Sequence, residues 1–313
     1  MGALPRVILG TMNFGARTPA ADAERIMARA VERGVLHFDT ANAYADGASE
    51  RLVGAFCRAR PAAGITVATK VGIGTLRGPA EGLAPAVVTG ALEASLARLG
   101  MDAVALCYLH KPDHGTPIAD TLGALADAQA RGLIVDWAMS NYGAWRSHEA
   151  LLAARDAGLS PPCTNQLLYN VLVRDLEHEY FDFARAQALS TTVYNPLAGG
   201  LLAGAHTPGA PPPGSRFDKN PMYRRRYWSD RLFDVVTDLR AVAEAAGLEL
   251  LTLAYRWLLG ASGVDSVIVG PGTVPHLDAA LDALGAGPLP NDVLKAVDGV
   301  HAAYRGTDAR YAR

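Results

Sequence analysis

The chain holds three cysteines in 313 residues, too few and too scattered for a disulfide framework. Cys57, Cys107 and Cys163 are odd in number and sit in apolar surroundings, so buried thiols in a reducing compartment are expected rather than bridges. Charge of either sign is not in excess. With a net charge of −2 and 19% charged residues, the chain lacks the basic footprint that nucleic acid or an anionic membrane would demand. No stretch reaches the roughly 20 apolar residues of a membrane span, and the N-terminus has no charged segment leading into a long apolar run. A soluble, cytoplasmic chain is therefore expected. Nucleotide motifs are missing as well: there is no Walker A sequence, and Gly72-Ile73-Gly74-Thr75-Leu76-Arg77-Gly78 misses the third glycine of GxGxxG by one residue. His110 and His114 are four apart, but Pro112 between them removes helical metal spacing, so no metal is expected.

Half of the residues are hydrophobic, enough for a sizeable core. Short apolar runs alternate with helical patterns along the whole length. The runs are Arg6–Gly10, His37–Asp39, Ile65–Val71, Ala103–Leu109, Ile134–Met139, Thr164–Leu168, Thr191–Tyr194 and Ser266–Val269. Between them, helical spacing predicts helices over Pro19–Arg33, Ser49–Arg60 with Ser49 as N-cap, Pro85–Leu99, Ile118–Arg131, about Ser147–Ala157 and Leu176–Ala188. Further helices are predicted over Arg231–Ala246, around Thr252–Gly260, and over His276–Leu284. Strands without clean alternation suit a parallel sheet buried on both faces, and eight β/α units in unbroken series favour a closed barrel. The expected fold is thus α/β, a (β/α)8 TIM barrel spanning residues 1–313 as one domain. It carries a long irregular loop after the seventh strand (203–230) and an extra C-terminal helix (Asn291–Arg305). A loop of that length in a compact domain is usually functional.

A barrel converges the C-terminal ends of its strands on one pocket. Those ends carry Asp39, Lys70, His110, Ser140 with Asn141, Gln166, and Tyr194 with Asn195. Singly, each has an ordinary reading: a solvated lysine, a turn histidine, a Ser-Asn turn start. Jointly, with Tyr44 five residues past Asp39, they support proton delivery to a carbonyl oxygen. A free phenol with pKa near 10 is a poor acid at neutral pH, but a neighbouring ammonium favours the phenolate, and a histidine can orient the substrate oxygen. Lys70 would supply the charge and Asp39 would anchor it. None of these side chains donates hydride, so a nicotinamide cofactor is required. A glycosidase would need paired carboxylates, whereas the ends of strands four and seven read His-Lys-Pro and Asn-Pro-Leu.

The order Asp39, Tyr44, Lys70, His110 resembles the catalytic tetrad of the aldo-keto reductase superfamily. The likeness extends through Gly47-Ala48-Ser49-Glu50, Ala68-Thr69-Lys70, Leu109-His110, Met139-Ser140-Asn141-Tyr142 and Asn165-Gln166. Tyr194-Asn195-Pro196-Leu197-Ala198-Gly199-Gly200-Leu201-Leu202, Arg216-Phe217 and Met222–Trp228 are similar to the aflatoxin-aldehyde and succinic-semialdehyde reductase branch. The resemblance implies NADPH as cofactor, with NADH not excluded, and a small-molecule carbonyl substrate, with carboxylate-bearing or dicarbonyl aldehydes favoured. Tyr44 would be the proton donor, tuned by Lys70 and Asp39. Ser140, Asn141 and Gln166 would hold the nicotinamide carboxamide and Tyr194 would stack on its ring. Asn195, Pro196, Leu197, Gly199, Gly200, Leu202, Gly204 and Arg216 would wrap the pyrophosphate. Gly270, Gly272, Thr273 and His276 would receive the adenosine end, although the branch usually has Gln at His276 and Asn at Ala280, so the phosphate-holding set is thinner here. Met12, His110, Tyr223 and Arg226 would meet substrate; for Tyr223–Trp228 the competing reading is a solvated basic turn. The rival function is an NADP(H)-sensing scaffold like the potassium-channel β-subunits. A long N-terminal extension would favour it, and a first strand at about Val7 speaks against one. Assembly as a homodimer is the default expectation.

Overall fold

The computed structural model describes residues 3–76 and 79–306, so Arg77 and Gly78, which end the glycine-rich run after the third strand, lie outside the described residues. Eight parallel strands close into a barrel in the order of the sequence: β1 Val7–Gly10, β2 His37–Asp39, β3 Thr66–Val71, β4 Val104–Leu109, β5 Ile134–Ser140, β6 Asn165–Leu168, β7 Thr191–Tyr194 and β8 Ser266–Val269. The expected α/β barrel is what the chain forms. Closure falls between β1 and β8, where Ile8 lies beside Ile268 and Leu9 beside Val269. Gly10 is required at this seam, because a Cβ there would stand 2.5 Å from the Ile268 side chain. Strands β2, β3, β4 and β8 are buried along nearly their whole length, as expected of a sheet covered on both faces. Ala68, Leu106, Tyr108 and Ala138 form one fully buried cluster of the core.

The helices are α1 Ala20–Glu32, α2 Ala48–Arg58, α3 Pro85–Leu99, α4 Ile118–Ala130, α5 Ala144–Asp156, α6 Tyr180–Ala186, α7 Pro221–Tyr227, α8 Asp230–Ala245, α9 Leu250–Gly260, α10 Val274–Gly285 and α11 Asn291–Arg305. Two local expectations are corrected. Gly47, in a left-handed conformation, caps α2, and Ser49 makes no cap bond; its hydroxyl instead joins the Thr11 and Thr40 hydroxyls and donates to the Thr11 carbonyl. The 203–230 segment is not wholly irregular, since it contains α7, capped by the Asn220 side chain and begun by Pro221. Chain contacts divide the molecule into two compact units. The first holds the described residues up to Leu167 together with Asp182–Thr192 and Asp265–Leu277; the second holds Leu168–Phe181, Val193–Val264 and the described residues from Asp278 onward. Within the second, α11 packs on α8, where Arg231 donates to the Tyr304 carbonyl. Cys57 and Cys107 are buried free thiols and Cys163 a half-buried one; burial raises the Cys57 thiol to about 11 and the other two to about 12. No described helix is long and apolar enough to cross a membrane.

Candidate active site

In the first unit, parallel register carries Asp39, Lys70 and His110 to neighbouring strand ends: Asp39 pairs with Ala68 two residues before Lys70, and Lys70 pairs with Tyr108 two residues before His110. Lys70 has no exposed surface. Its ammonium ion-pairs with the Asp39 carboxylate and donates to the Thr40 carbonyl at 3.0 Å and the Tyr44 hydroxyl at 3.1 Å. An ammonium has three donors, and these contacts give it three acceptors. It also stands 4.8 Å from the centroid of the Tyr44 ring and 5.5 Å from that of Tyr108. The His110 ring meets Tyr44 edge-on at 5.8 Å. Burial first, then Lys70 and Lys111, holds His110 well below its ordinary 6.5, so the imidazole is neutral at neutral pH. Its Nδ1 is buried with no hydrogen-bond partner among the described residues.

Tyr44 opens a short helical turn, Tyr44–Gly47, whose backbone is left-handed at Ala45, Asp46 and Gly47. The three positive φ angles (49°, 50° and 80°) reverse the chain directly after the phenol and aim it back over the strand ends. Asp39 is held from three sides. Gln166 donates to its second carboxylate oxygen at 2.9 Å, while the Thr11 amide and hydroxyl both donate to its carbonyl at 2.9 Å. The Ser140 hydroxyl donates to the Gln166 carbonyl at 2.9 Å. Asn141 is left-handed (φ 64°) and its amide donates to the His110 carbonyl. Met12 is half-buried in the turn after β1. After β8, the Thr273 hydroxyl accepts from the His276 backbone N–H in the first turn of α10, and the His276 side chain is exposed. The structure thus brings Asp39, Tyr44, Lys70, His110 and Gln166 together. Sequence reasoning missed Thr40 and Thr11 as partners; both bonds run through backbone or short hydroxyl groups that no motif announces.

The second unit carries the residues that follow β7. Asn195 is left-handed (φ 63°), as are Ala198, Gly199, Gly200 and Gly204. Its side chain accepts from the Gly199 N–H at 2.8 Å and donates to the Tyr227 hydroxyl at 2.8 Å, and Asn170 donates to its carbonyl and to the same hydroxyl. Gly199 must be glycine, because a Cβ would come within 3.0 Å of Phe217 and Tyr223. Turns of this kind gather backbone N–H groups into anion-holding concavities. Tyr223 is buried and its hydroxyl accepts from Arg216 at 2.9 Å; Arg226 is half-buried, with its guanidinium 6.0 Å from the Tyr227 ring centroid. The solvated-turn reading of Tyr223–Trp228 therefore fails, since α7 buries both Tyr223 and Tyr227.

Away from the tetrad, a cavity of about 250 Å³ lies between the loop after β4, α4 and α5. Its charged groups already have partners: Asp113 accepts from the Leu83 and Gly115 N–H groups and the Thr116 hydroxyl, and Arg146 binds Glu149 and His114. No group of three or more potential metal ligands occurs among the described residues.

The sequence matches the Aldo/keto reductase family over residues 6–302. It is 35% identical over 315 residues to human "Aflatoxin B1 aldehyde reductase member 2", covering 93% of this chain and 86% of that protein. A more distant relative is the "Probable voltage-gated potassium channel subunit beta" of Arabidopsis thaliana, at 30% over 283 residues, 89% of this chain and 86% of the other. The solved structure of the glycerol dehydrogenase AKR11B4 from Gluconobacter oxydans superposes with a TM-score of 0.82 at 24% identity, covering 99% of this chain and 95% of that one, a likeness of fold. With the tetrad order, the barrel and these matches in agreement, the chain belongs to the Aldo/keto reductase family of oxidoreductases acting on carbonyl groups.

Proposed function

We propose that this protein reduces aldehydes and ketones to alcohols with NADPH, Tyr44 giving the proton to the carbonyl oxygen. The observation that carries the reading is the buried Lys70 ammonium, held at once by Asp39, the Thr40 carbonyl and the Tyr44 hydroxyl. The nicotinamide cofactor, when bound, supplies hydride to the carbonyl carbon. As the carbonyl oxygen gains negative charge it takes the Tyr44 proton, and the phenolate left behind faces the ammonium. In a buried site that attraction is stronger than in water, and it is present before the reaction starts. His110, neutral, offers one N–H to orient the same oxygen.

Ser140, Asn141 and Gln166 are assigned to the carboxamide, and Gln166 shares its amide nitrogen with Asp39. The left-handed run from Asn195 through Gly204, with Arg216, is assigned to the pyrophosphate; its glycine backbone fits such a group. Gly270, Gly272, Thr273 and His276 are assigned to the adenosine phosphate at the start of α10. Arg226 is assigned to a carboxylate on the substrate, for which a planar guanidinium is suited. The aldehyde-reductase name of the human relative supports aldehydes as the substrate class.

Tyr44→Phe tests the mechanism. The turnover of 2-carboxybenzaldehyde should fall by about 10²–10⁴-fold while NADPH fluorescence titration is unchanged. Reduction at the wild-type rate sinks it. NADPH binding without consumption of any carbonyl, by contrast, would favour the sensing scaffold suggested by the channel-subunit relative.

A further inference from the structure

The turn that presents Tyr44 is held open against its own preference. Ala45 and Asp46 occupy the left-handed region at φ 49° and 50°, which residues other than glycine rarely adopt, so neighbouring contacts must offset the strain. Those contacts come from two arginines. Arg51 donates to the Asp46 carbonyl at 3.4 Å. Arg98, from the last turn of α3, lies directly on Gly47: a Cβ there would fall 2.5 Å from the Arg98 Cδ and 2.8 Å from its Nε. Only a glycine lets the guanidinium approach so closely.

Arg98 is itself fixed. Its Nε donates to Glu50 at 2.5 Å, a carboxylate with no exposed surface, and its other nitrogen donates to Ser95 at 3.0 Å. The second Glu50 oxygen accepts from the Thr69 hydroxyl at 2.6 Å, and Thr69 is the residue before Lys70. The end of α3 is docked on α2 by Gly54, where a Cβ would overlap the Leu99 carbonyl. One ion pair, buried at Glu50 and half-buried at Arg98, therefore links the strand carrying Lys70 to the turn carrying Tyr44.

We infer that Arg98 is a positioning residue for the proton donor: paired with Glu50, it braces the left-handed turn and holds the Tyr44 hydroxyl on the Lys70 ammonium. The inference rests on the reading of Tyr44 as proton donor. Its test is Arg98→Met, assayed with 2-carboxybenzaldehyde at saturating NADPH. A phenol displaced by an ångström should cost kcat about 10²-fold, with NADPH affinity unchanged. The alkaline limb of the kcat–pH profile should move up by about one unit, because the phenol leaves its cation. Arg98→Lys keeps the charge against Glu50 but loses the planar guanidinium, and should recover part of both effects. The double variant Glu50→Gln/Arg98→Met leaves no unpaired buried carboxylate, so it reports even where the single variant does not fold, and should show the same shift in pH profile. An unchanged profile in these variants, whether kcat is wild-type or falls only in step with Tm, overturns the brace. Tyr44→Phe run alongside separates the two readings: its inactivity with a normal Arg98→Met removes the brace alone, whereas its full activity removes both.

Discussion

A lysine with no exposed surface is tolerated only when its charge is answered, and Lys70 is answered by one carboxylate. Asp39→Asn keeps the shape but leaves the ammonium buried without a counter-charge, which should cost about 3–5 kcal/mol of stability. Removing both charges together, as Asp39→Asn/Lys70→Met, should cost less than the sum of Asp39→Asn and Lys70→Met made singly. Urea denaturation of the four proteins gives the coupling, and additive effects would mean that the pair is not the buried unit described. A second residue-scale expectation concerns Arg226. If it receives a substrate carboxylate, Arg226→Gln should raise KM for 2-carboxybenzaldehyde about tenfold, the worth of one charged hydrogen bond, and leave benzaldehyde unaffected. Equal effects on the two aldehydes would assign Arg226 to packing on Tyr227 instead. At this scale the grouping of Asp39, Lys70 and His110 was legible because they stand at or just past the ends of neighbouring strands, with Tyr44 in the turn that follows β2. The Gln166 bond to Asp39 was not, since 127 residues separate the two and only the closed sheet brings them together.

Elements were legible where hydrophobic spacing and punctuation agreed, as for α3, where Pro85 opens the helix and left-handed Gly100 ends it. The α7 helix was missed because Pro221-Met222-Tyr223-Arg224-Arg225-Arg226-Tyr227 reads as a basic run. The signal was there: Asn220 before Pro221, and tyrosines four apart that share one helical face and are both buried. The cap is testable by itself, for Asn220→Ala should lower stability by about 1 kcal/mol through loss of the bond to the Tyr223 N–H. The turn after Tyr44 makes the opposite prediction. Asp46 is exposed and left-handed, so Asp46→Gly should stabilise by about 0.5 kcal/mol, the steric relief in that conformation exceeding the entropy glycine adds to the unfolded chain. A loss of Tm in that variant would show that the aspartate side chain, not the backbone, holds the turn.

At the scale of the whole molecule, titration couples burial to stability. His37 and His110 in the first unit, and His206 and His301 in the second, all have their pKa lowered, each chiefly by burial. In the unfolded chain these imidazoles take up protons near 6.5; in the folded chain they do so only at lower pH. The unfolded state therefore binds more protons as pH falls through 6.5, and the stability they contribute is complete above that value and lost progressively below it. Asp113 does not obscure this window. Its carboxyl is held below 3.8, first by the Leu83 and Gly115 N–H groups, so its contribution is kept until the pH falls past that value. Tm should thus be flat from pH 8 to about 7 and decline from about 6.5 towards 5, in the range where only histidines titrate. His110 is pushed down furthest of the four, by burial first and then by Lys70 and Lys111 opposing its protonation, so His110→Asn should flatten the decline more than His301→Asn does. Scanning fluorimetry across pH 5–8 on the three proteins decides it, and a wild-type Tm that does not move between 7 and 5 would mean that these imidazoles open to water before they titrate.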